Sequence, residues 1–348
     1  MTMPRRTALA LMLPGATSWL AGRWARAAGE SGAAFAQEVR SYGVDVGLVR
    51  LSVTARTARG TLVHDLRPEE FHVLEGDVEQ EVVRFGHHEA PISVVVLFDK
   101  SGSMRDEKLM HAKDGVVNFV RALRAQDEVL VVAFSGVIDV LGDFGLDART
   151  IERAVKRVHA ERSTRLYDAV VEGAYAIGGP GRKEKRALLI LSDGEDTASD
   201  ASLGEAVEAV RRAGVPVYAI GIEMDDADRT AWADRPWMRL GRPDDAGGSL
   251  WKRTGPGVTP KAKTGTSAAI QALTRLTDGT GGWTYPIVAA GRCKEVCLRV
   301  AEELRNQYLL GYVPSAGGSH VGWRAVSVRT SRPGVTLVTR RGYYATTS

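Results

Sequence analysis

Cysteine is nearly absent from this chain: Cys293 and Cys297 are its only two among 348 residues. That count excludes a disulfide-built scaffold. Two ligands of one kind with no histidine nearby also argue against a structural zinc site. The pair is spaced i, i+4. An oxidising compartment would favour a local disulfide between them, although mid-helix geometry suits one poorly. Other absences narrow the chemistry. There is no Gly-x-Ser-x-Gly elbow and no Walker-type phosphate loop. Lys263-Thr264-Gly265 has no Ser-x-x-Lys partner upstream, and His87-His88-Glu89 lacks the second histidine of a zincin. A basic excess is missing too, once the N-terminus is set aside. Residues 1–27 carry Arg5, Arg6, Arg23 and Arg26 and no acidic residue. Of 46 basic residues, 42 then remain, against 42 acidic ones. No global basic footprint is left to suggest a nucleic-acid partner.

The N-terminal segment reads as an export signal. Arg5-Arg6 precede an apolar stretch from Thr7 to Ala21, broken by Pro14-Gly15. The stretch is too short for a membrane-spanning helix, which needs ~20 apolar residues. Ala25-Arg26-Ala27 offers a small-x-small cleavage site, and Ala34-Phe35-Ala36 a second, so the signal is expected to end at residue 27 or 36. The paired arginines fit twin-arginine export poorly in their surroundings, and either route remains open. No cysteine near these sites offers a lipid anchor. With no second long apolar run, a secreted or periplasmic protein without a transmembrane segment is expected.

Residues 40–90 have the texture of β-structure. Val44 to Ala55 alternates apolar and polar positions, and Phe71–Glu75, Gly76-Asp77 and Val82–Phe85 read as a hairpin. From Ile92 onward, apolar strands (92–98, 129–134, 187–191, 215–222) alternate with amphipathic helices (106–124, near 148–159, 166–178 and 202–213). Ser202 with Glu205 forms a capping box for the last of these. The fold class this implies is α/β: a doubly wound, mainly parallel sheet flanked by helices. Residues 224–264 interrupt it with an Asp-, Arg-, Gly-, Pro- and Trp-rich stretch, in which Trp232, Trp237 and Trp251 either form a binding surface or pin a long loop. The α/β pattern resumes at 266–277 and 283–286. After a helix at about 291–305 come short strands at 307–312, 323–329 and 335–339, with a turn at Arg332-Pro333-Gly334. The economical arrangement packs these C-terminal strands with the N-terminal ones as a small β-sandwich. The expected segments are therefore 40–90, an α/β domain at 91–290, and 291–348.

Ligands of open parallel sheets bind beyond the carboxyl ends of the strands. Three polar loops sit there. Asp99-Lys100-Ser101-Gly102-Ser103 follows the strand at 92–98, and Ser192-Asp193-Gly194-Glu195-Asp196 follows that at 187–191. Ser163-Thr164-Arg165 precedes the helix at 166. Taken singly, each residue is an ordinary turn or N-cap choice. Together, in this order and strand context, they resemble the von Willebrand factor A domain over roughly residues 90–290. The quoted motifs are Asp99-x-Ser101-x-Ser103, Thr164 before Leu166-Tyr167-Asp168-Ala169, and Asp193-Gly194-x-Asp196. Asp65-Leu66 with Phe71-x-Val73-Leu74-Glu75-Gly76, and a tail of Tyr308-Leu309-Leu310-Gly311-Tyr312 and Arg340-Arg341-Gly342-Tyr343-Tyr344, are similar to the flanks of a bacterial secreted subgroup. Ser163 stands where the family often has glycine.

The resemblance implies a metal-ion-dependent adhesion site. Ser101, Ser103 and Thr164 would offer hydroxyl oxygens, with Asp99 and Asp193 holding the ion directly or through water. Such hard donors suit Mg²⁺, with Mn²⁺ or Ca²⁺ as alternatives. If both aspartates act through water, an acidic residue of a partner protein can complete the shell. Lys100 is expected to place a cation near the ion and to weaken its binding. No general base is evident beyond Glu195 and Asp196, so metal-dependent hydrolysis is disfavoured and the chain is expected not to be an enzyme. Metal-dependent protein binding is the leading expectation; an envelope scaffold acting through its β-sandwich is the alternative.

Overall fold

Ile92–Asp99, buried along its whole length, is the centre of a six-stranded sheet. The computed structural model describes residues 47–87, 90–222, 267–287, 289–315 and 322–345. The N-terminal segment read as an export signal, His88-Glu89 and the stretch at 224–264 with its three tryptophans lie outside them. Among the described residues no helix is long and apolar enough to cross a membrane.

In chain order the sheet uses β5 (Ile92–Asp99), β6 (Glu128–Phe134), β7 (Ile138–Gly142), β8 (Lys185–Ser192), β9 (Val217–Ile222) and β10 (Thr284–Ile287). Their spatial order is β10-β9-β8-β5-β6-β7, all parallel except the β6–β7 pair. The chain leaves β5 to one side for β6 and later returns to its other side as β8, so the order reverses at β5. Helices α1 (Glu107–Ala122), α2 (Ala148–Lys156), α3 (Leu166–Gly178), α4 (Leu203–Ala213), α5 (Ala268–Thr277) and α6 (Cys293–Arg305) complete the α/β layers. The stripe on α1 buries Leu109, Ala112, Val116 and Val120, and Ser202 with Glu205 closes the capping box of α4. The short antiparallel edge strand β7 went unread in the sequence, because its half-buried residues carry no clear alternation.

The remaining strands form two four-stranded antiparallel sheets. One has the order β13-β1-β11-β4 and the other β14-β12-β2-β3. They comprise β1 (Val49–Thr57), β2 (Phe71–Glu75), β3 (Val78–Gln80), β4 (Val82–Gly86), β11 (Tyr308–Tyr312), β12 (Gly322–Thr330), β13 (Val335–Val338) and β14 (Gly342–Ala345). Leu51, Val53 and Leu310 of the first sheet share a core with Phe71, Val73 and Val326 of the second, giving the expected sandwich of N- and C-terminal strands. The expected hairpin needs correction. β2 turns through Gly76-Asp77 onto β3, whereas β4 crosses to pair with β11 in the other sheet. Two short alternating runs look alike in sequence, and only their long-range partners separate them.

The cysteines also depart from expectation: both thiols are free and buried. Cys293 and Cys297 lie on α6, where it packs against α1. A Cβ built at Gly115 would stand 2.8 Å from one sulfur and 2.9 Å from the other. The pair thus serves as close packing around a glycine, and the intact helix holds them apart from disulfide geometry.

Sandwich and α/β layers meet at one buried carboxylate. Glu303 of α6 is paired with Arg56 of β1. It also accepts hydrogen bonds from Tyr218 Oη and Tyr285 Oη, each at 3.0 Å, and from Thr54 at 3.4 Å. Gln307 bridges Tyr218 (3.0 Å) and Thr54 (3.3 Å). A buried pair satisfied on this many sides is costly to break from one end, since the other charge is left in a dry interior. Glu303→Gln, which keeps the shape, is expected to lower unfolding stability by ~3 kcal/mol in urea denaturation; a change below ~0.5 kcal/mol, the size of an ordinary surface substitution, would contradict this role.

Candidate metal centre

Asp99 closes β5 inside the protein and is fully buried. Its Oδ1 accepts the Ser101 N–H at 2.7 Å, and its Oδ2 accepts the Ser192 hydroxyl at 2.7 Å. Burial pushes its carboxyl up to about 6 against the lowering effect of these hydrogen bonds, and the negative charge of Asp193 pushes the same way. Ser192 Oγ, bonded to Asp99 and to the Gly194 N–H, brings the Asp193 loop beside this carboxylate at the place where the strand order reverses.

The neighbouring loops are stitched to this point. Ser101 Oγ lies 3.0 Å from Ser103 Oγ; the first is buried and the second exposed, so the pair runs from interior to surface. Glu161 N–H donates to Lys100 O at 2.8 Å, and Arg165 N–H to Ser135 O at 2.9 Å, which fixes the segment carrying Thr164 against the ends of β5 and β6. Thr164 is buried. Its N–H donates to Thr197 Oγ1 at 3.0 Å, while its carbonyl accepts from Thr197 N–H (3.0 Å) and Ala198 N–H (2.9 Å). The Thr164 loop and the Asp193 loop are thus joined. Gly194 has φ +86°, and a Cβ there would stand 2.5 Å from the carbonyl oxygen of Ala269, so glycine lets this loop lie against α5. Asp99 ends β5, and Ser101, Ser103, Thr164 and Asp193 lie beyond the carboxyl ends of the strands at the same side of the sheet. Among the described residues no group of three or more His, Cys, Asp or Glu side chains could hold a metal. Any ion here would depend on the hydroxyls.

Lys100 does not do what its position in the motif suggests. Successive residues of a strand point to opposite sides, and its ammonium turns away to Asp139 of β7, at 2.8 Å, and to Glu161. It braces the β6–β7 edge. The cation beside the acidic pair comes instead from α1: Lys108 Nζ lies 3.4 Å from Asp193 Oδ2. The sequence reading also missed Ser192, although it lies in the quoted loop. Its hydroxyl both donates to Asp99 and accepts the Gly194 N–H at 2.9 Å.

Residues 93–233 match the family model described as von Willebrand factor type A domain. The chain carries a von Willebrand factor type A domain. Inter-alpha-trypsin inhibitor heavy chain H4 of Sus scrofa is 24% identical over 157 residues, which is 40% of this chain and 17% of that protein. The corresponding mouse heavy chain 4 is 24% identical over 143 residues, 36% of this chain and 15% of that one. The chain thus spans about a sixth of the length of these relatives. Among solved structures, a von Willebrand factor type A protein from Catenulispora acidiphila superposes with a TM-score of 0.47 at 15% identity, covering 88% of this chain and 65% of that one. Proximal thread matrix protein 1 from the mussel byssus, with a zinc-occupied MIDAS motif, gives 0.42 at 16% identity, covering 63% and 48%.

A strained turn separates the serine loop from α1. Asp106 has φ 58° and ψ −119°, the one positive φ outside glycine among the described residues, and its side chain makes no cap hydrogen bond. A non-glycine residue held this way stores of order 1–3 kcal/mol. Asp106→Gly is therefore expected to raise stability by ~1 kcal/mol, net of the extra freedom glycine gives the unfolded chain. Chemical denaturation would read this; a loss of stability would show that the aspartate side chain contributes more than the backbone strain costs.

Proposed function

We propose that this chain binds a protein partner through a divalent cation held by Ser101, Ser103, Thr164, Asp99 and Asp193. The observation that carries the reading is the juxtaposition at the end of β5. A buried carboxylate lies close to a second one, with two hydroxyls 3.0 Å apart leading from it to the surface. Hard, mostly neutral oxygen donors around a carboxylate pair fit Mg²⁺, with Mn²⁺ or Ca²⁺ as alternatives. When bound, such an ion supplies a site for one exogenous carboxylate, so the partner contributes an acidic residue. The residues here do the positioning. Ser192 and the Ser101 N–H fix Asp99, Thr197 and Ala198 fix Thr164, and exposed Ser103 forms the lip.

The same geometry favours binding over catalysis. Asp196, one of the two candidate bases, accepts the Ser199 hydroxyl at 2.6 Å and the Tyr167 N–H at 3.3 Å, so it holds the loop together. Glu195 points to solvent from an exposed position. Export to the periplasm or medium completes the proposal. Its support is the Arg5-Arg6 start, the apolar stretch to Ala21 and the Ala25-Arg26-Ala27 site.

Capture of a partner from an envelope extract onto the immobilised chain tests the reading. Capture is expected to disappear in excess chelator, to return with Mg²⁺ or Mn²⁺, and to fall at least ten-fold in Ser101→Ala and Thr164→Ala chains that remain folded. A tenfold loss corresponds to ~1.4 kcal/mol, less than one charge-assisted contact. Capture indifferent to chelator would contradict the metal reading and favour a scaffold acting through its sandwich.

A further inference from the structure

The acidic pair comes with its own cation. Lys108 Nζ stands 3.4 Å from Asp193 Oδ2, with 17% of the lysine side chain and 8% of the aspartate side chain exposed. A pair this desolvated interacts more strongly than a surface salt bridge. Its position is built in. Lys108 is in the first turn of α1, at a helix end whose dipole disfavours cations. The strained Asp106 turn immediately before it brings that end to the site. Lys100 does not compete for the role, being engaged with Asp139 and Glu161.

We propose that Lys108 is the residue that sets metal affinity and partner charge at this site: it stands in for the cation in the metal-free protein and opposes the ion in the loaded one. The inference rests on the metal-binding reading above. The charges explain why it matters. Asp99 and Asp193 contribute two negative charges and Lys108 one positive. The lysine thus offsets part of the repulsion between the carboxylates in the metal-free chain. A divalent ion added to that set leaves the site at a net charge of plus one, where the two aspartates alone would bring it to zero. Lys108 therefore weakens the ion's binding and at the same time keeps the loaded site attractive to a carboxylate. Binding of the ion and recognition of an acidic partner are set in opposite directions by one ammonium group.

The test is calorimetric titration of Mn²⁺ alone into the wild-type chain, Lys108→Met, Lys108→Gln and Lys108→Arg. Methionine and glutamine keep most of the stem without the charge; arginine keeps the charge. Both neutral variants are expected to bind Mn²⁺ roughly ten-fold more tightly than wild type, with the arginine variant close to wild type. In melting curves, both neutral variants are expected to melt below wild type in chelator and to gain more on adding Mn²⁺. Equal or weaker Mn²⁺ binding by whichever neutral variant folds would overturn the role of Lys108 while leaving the metal site standing. Wild-type protein that binds no Mn²⁺, Mg²⁺ or Ca²⁺ would instead overturn the metal reading, and this inference with it.

Discussion

Burial of the Asp99 carboxylate is the constraint around which the functional end of this protein is arranged. A charge at the end of an apolar strand, out of reach of water, is tolerable only where donors or cations meet it. Ser101 N–H and Ser192 Oγ supply two donors. They also tie the loop after β5 and the end of β8 to Asp99, at the point where strand order reverses. The nearby charge of Asp193 adds to the cost, and Lys108 offsets part of it. The proposed ion would meet this buried carboxylate together with the Ser101 and Ser103 hydroxyls, the second of them exposed.

The other half of the molecule solves a related problem differently. Glu303 is as deeply buried, but its neighbours satisfy it: Arg56, Tyr218, Tyr285 and Thr54 converge on it from both the sandwich and the α/β sheet. One buried acid is thus closed and structural, while Asp99 lies at the carboxyl ends of the strands, where its two donors come from the loop after β5 and the last residue of β8. That contrast separates a packing joint from a candidate binding site. It also places the joint on α6, so the sandwich and the last helix of the α/β layers share a charged contact that neither can lose alone.

Much of this was legible in the sequence. The uninterrupted apolar run of β5 and the stripe Leu109, Ala112, Val116 and Val120 state their burial directly. The order of Asp99, Ser101, Ser103, Thr164 and Asp193 along the chain puts them beyond the carboxyl ends of the strands, because a parallel sheet delivers those ends to a common edge. What failed was information held in long-range partners. β3 and β4 could not be told apart until β11 and β2 claimed one each. The cysteine pair looked like a disulfide because Gly115, far off in sequence, was not visible as its neighbour. The role given to Lys100 failed because the acids that hold its ammonium, Asp139 and Glu161, are distant in sequence. Lys108 was harder to find, since its placement depends on the unusual backbone of Asp106.

The most direct measurement is an anomalous-scattering map from crystals of this chain grown with Mn²⁺. A single strong peak is expected among the hydroxyl oxygens of Ser101, Ser103 and Thr164, with the carboxylates of Asp99 and Asp193 around it. A map with no peak there, or with manganese bound only at other carboxylates of the surface, would contradict the assignment of this edge of the sheet as a metal centre.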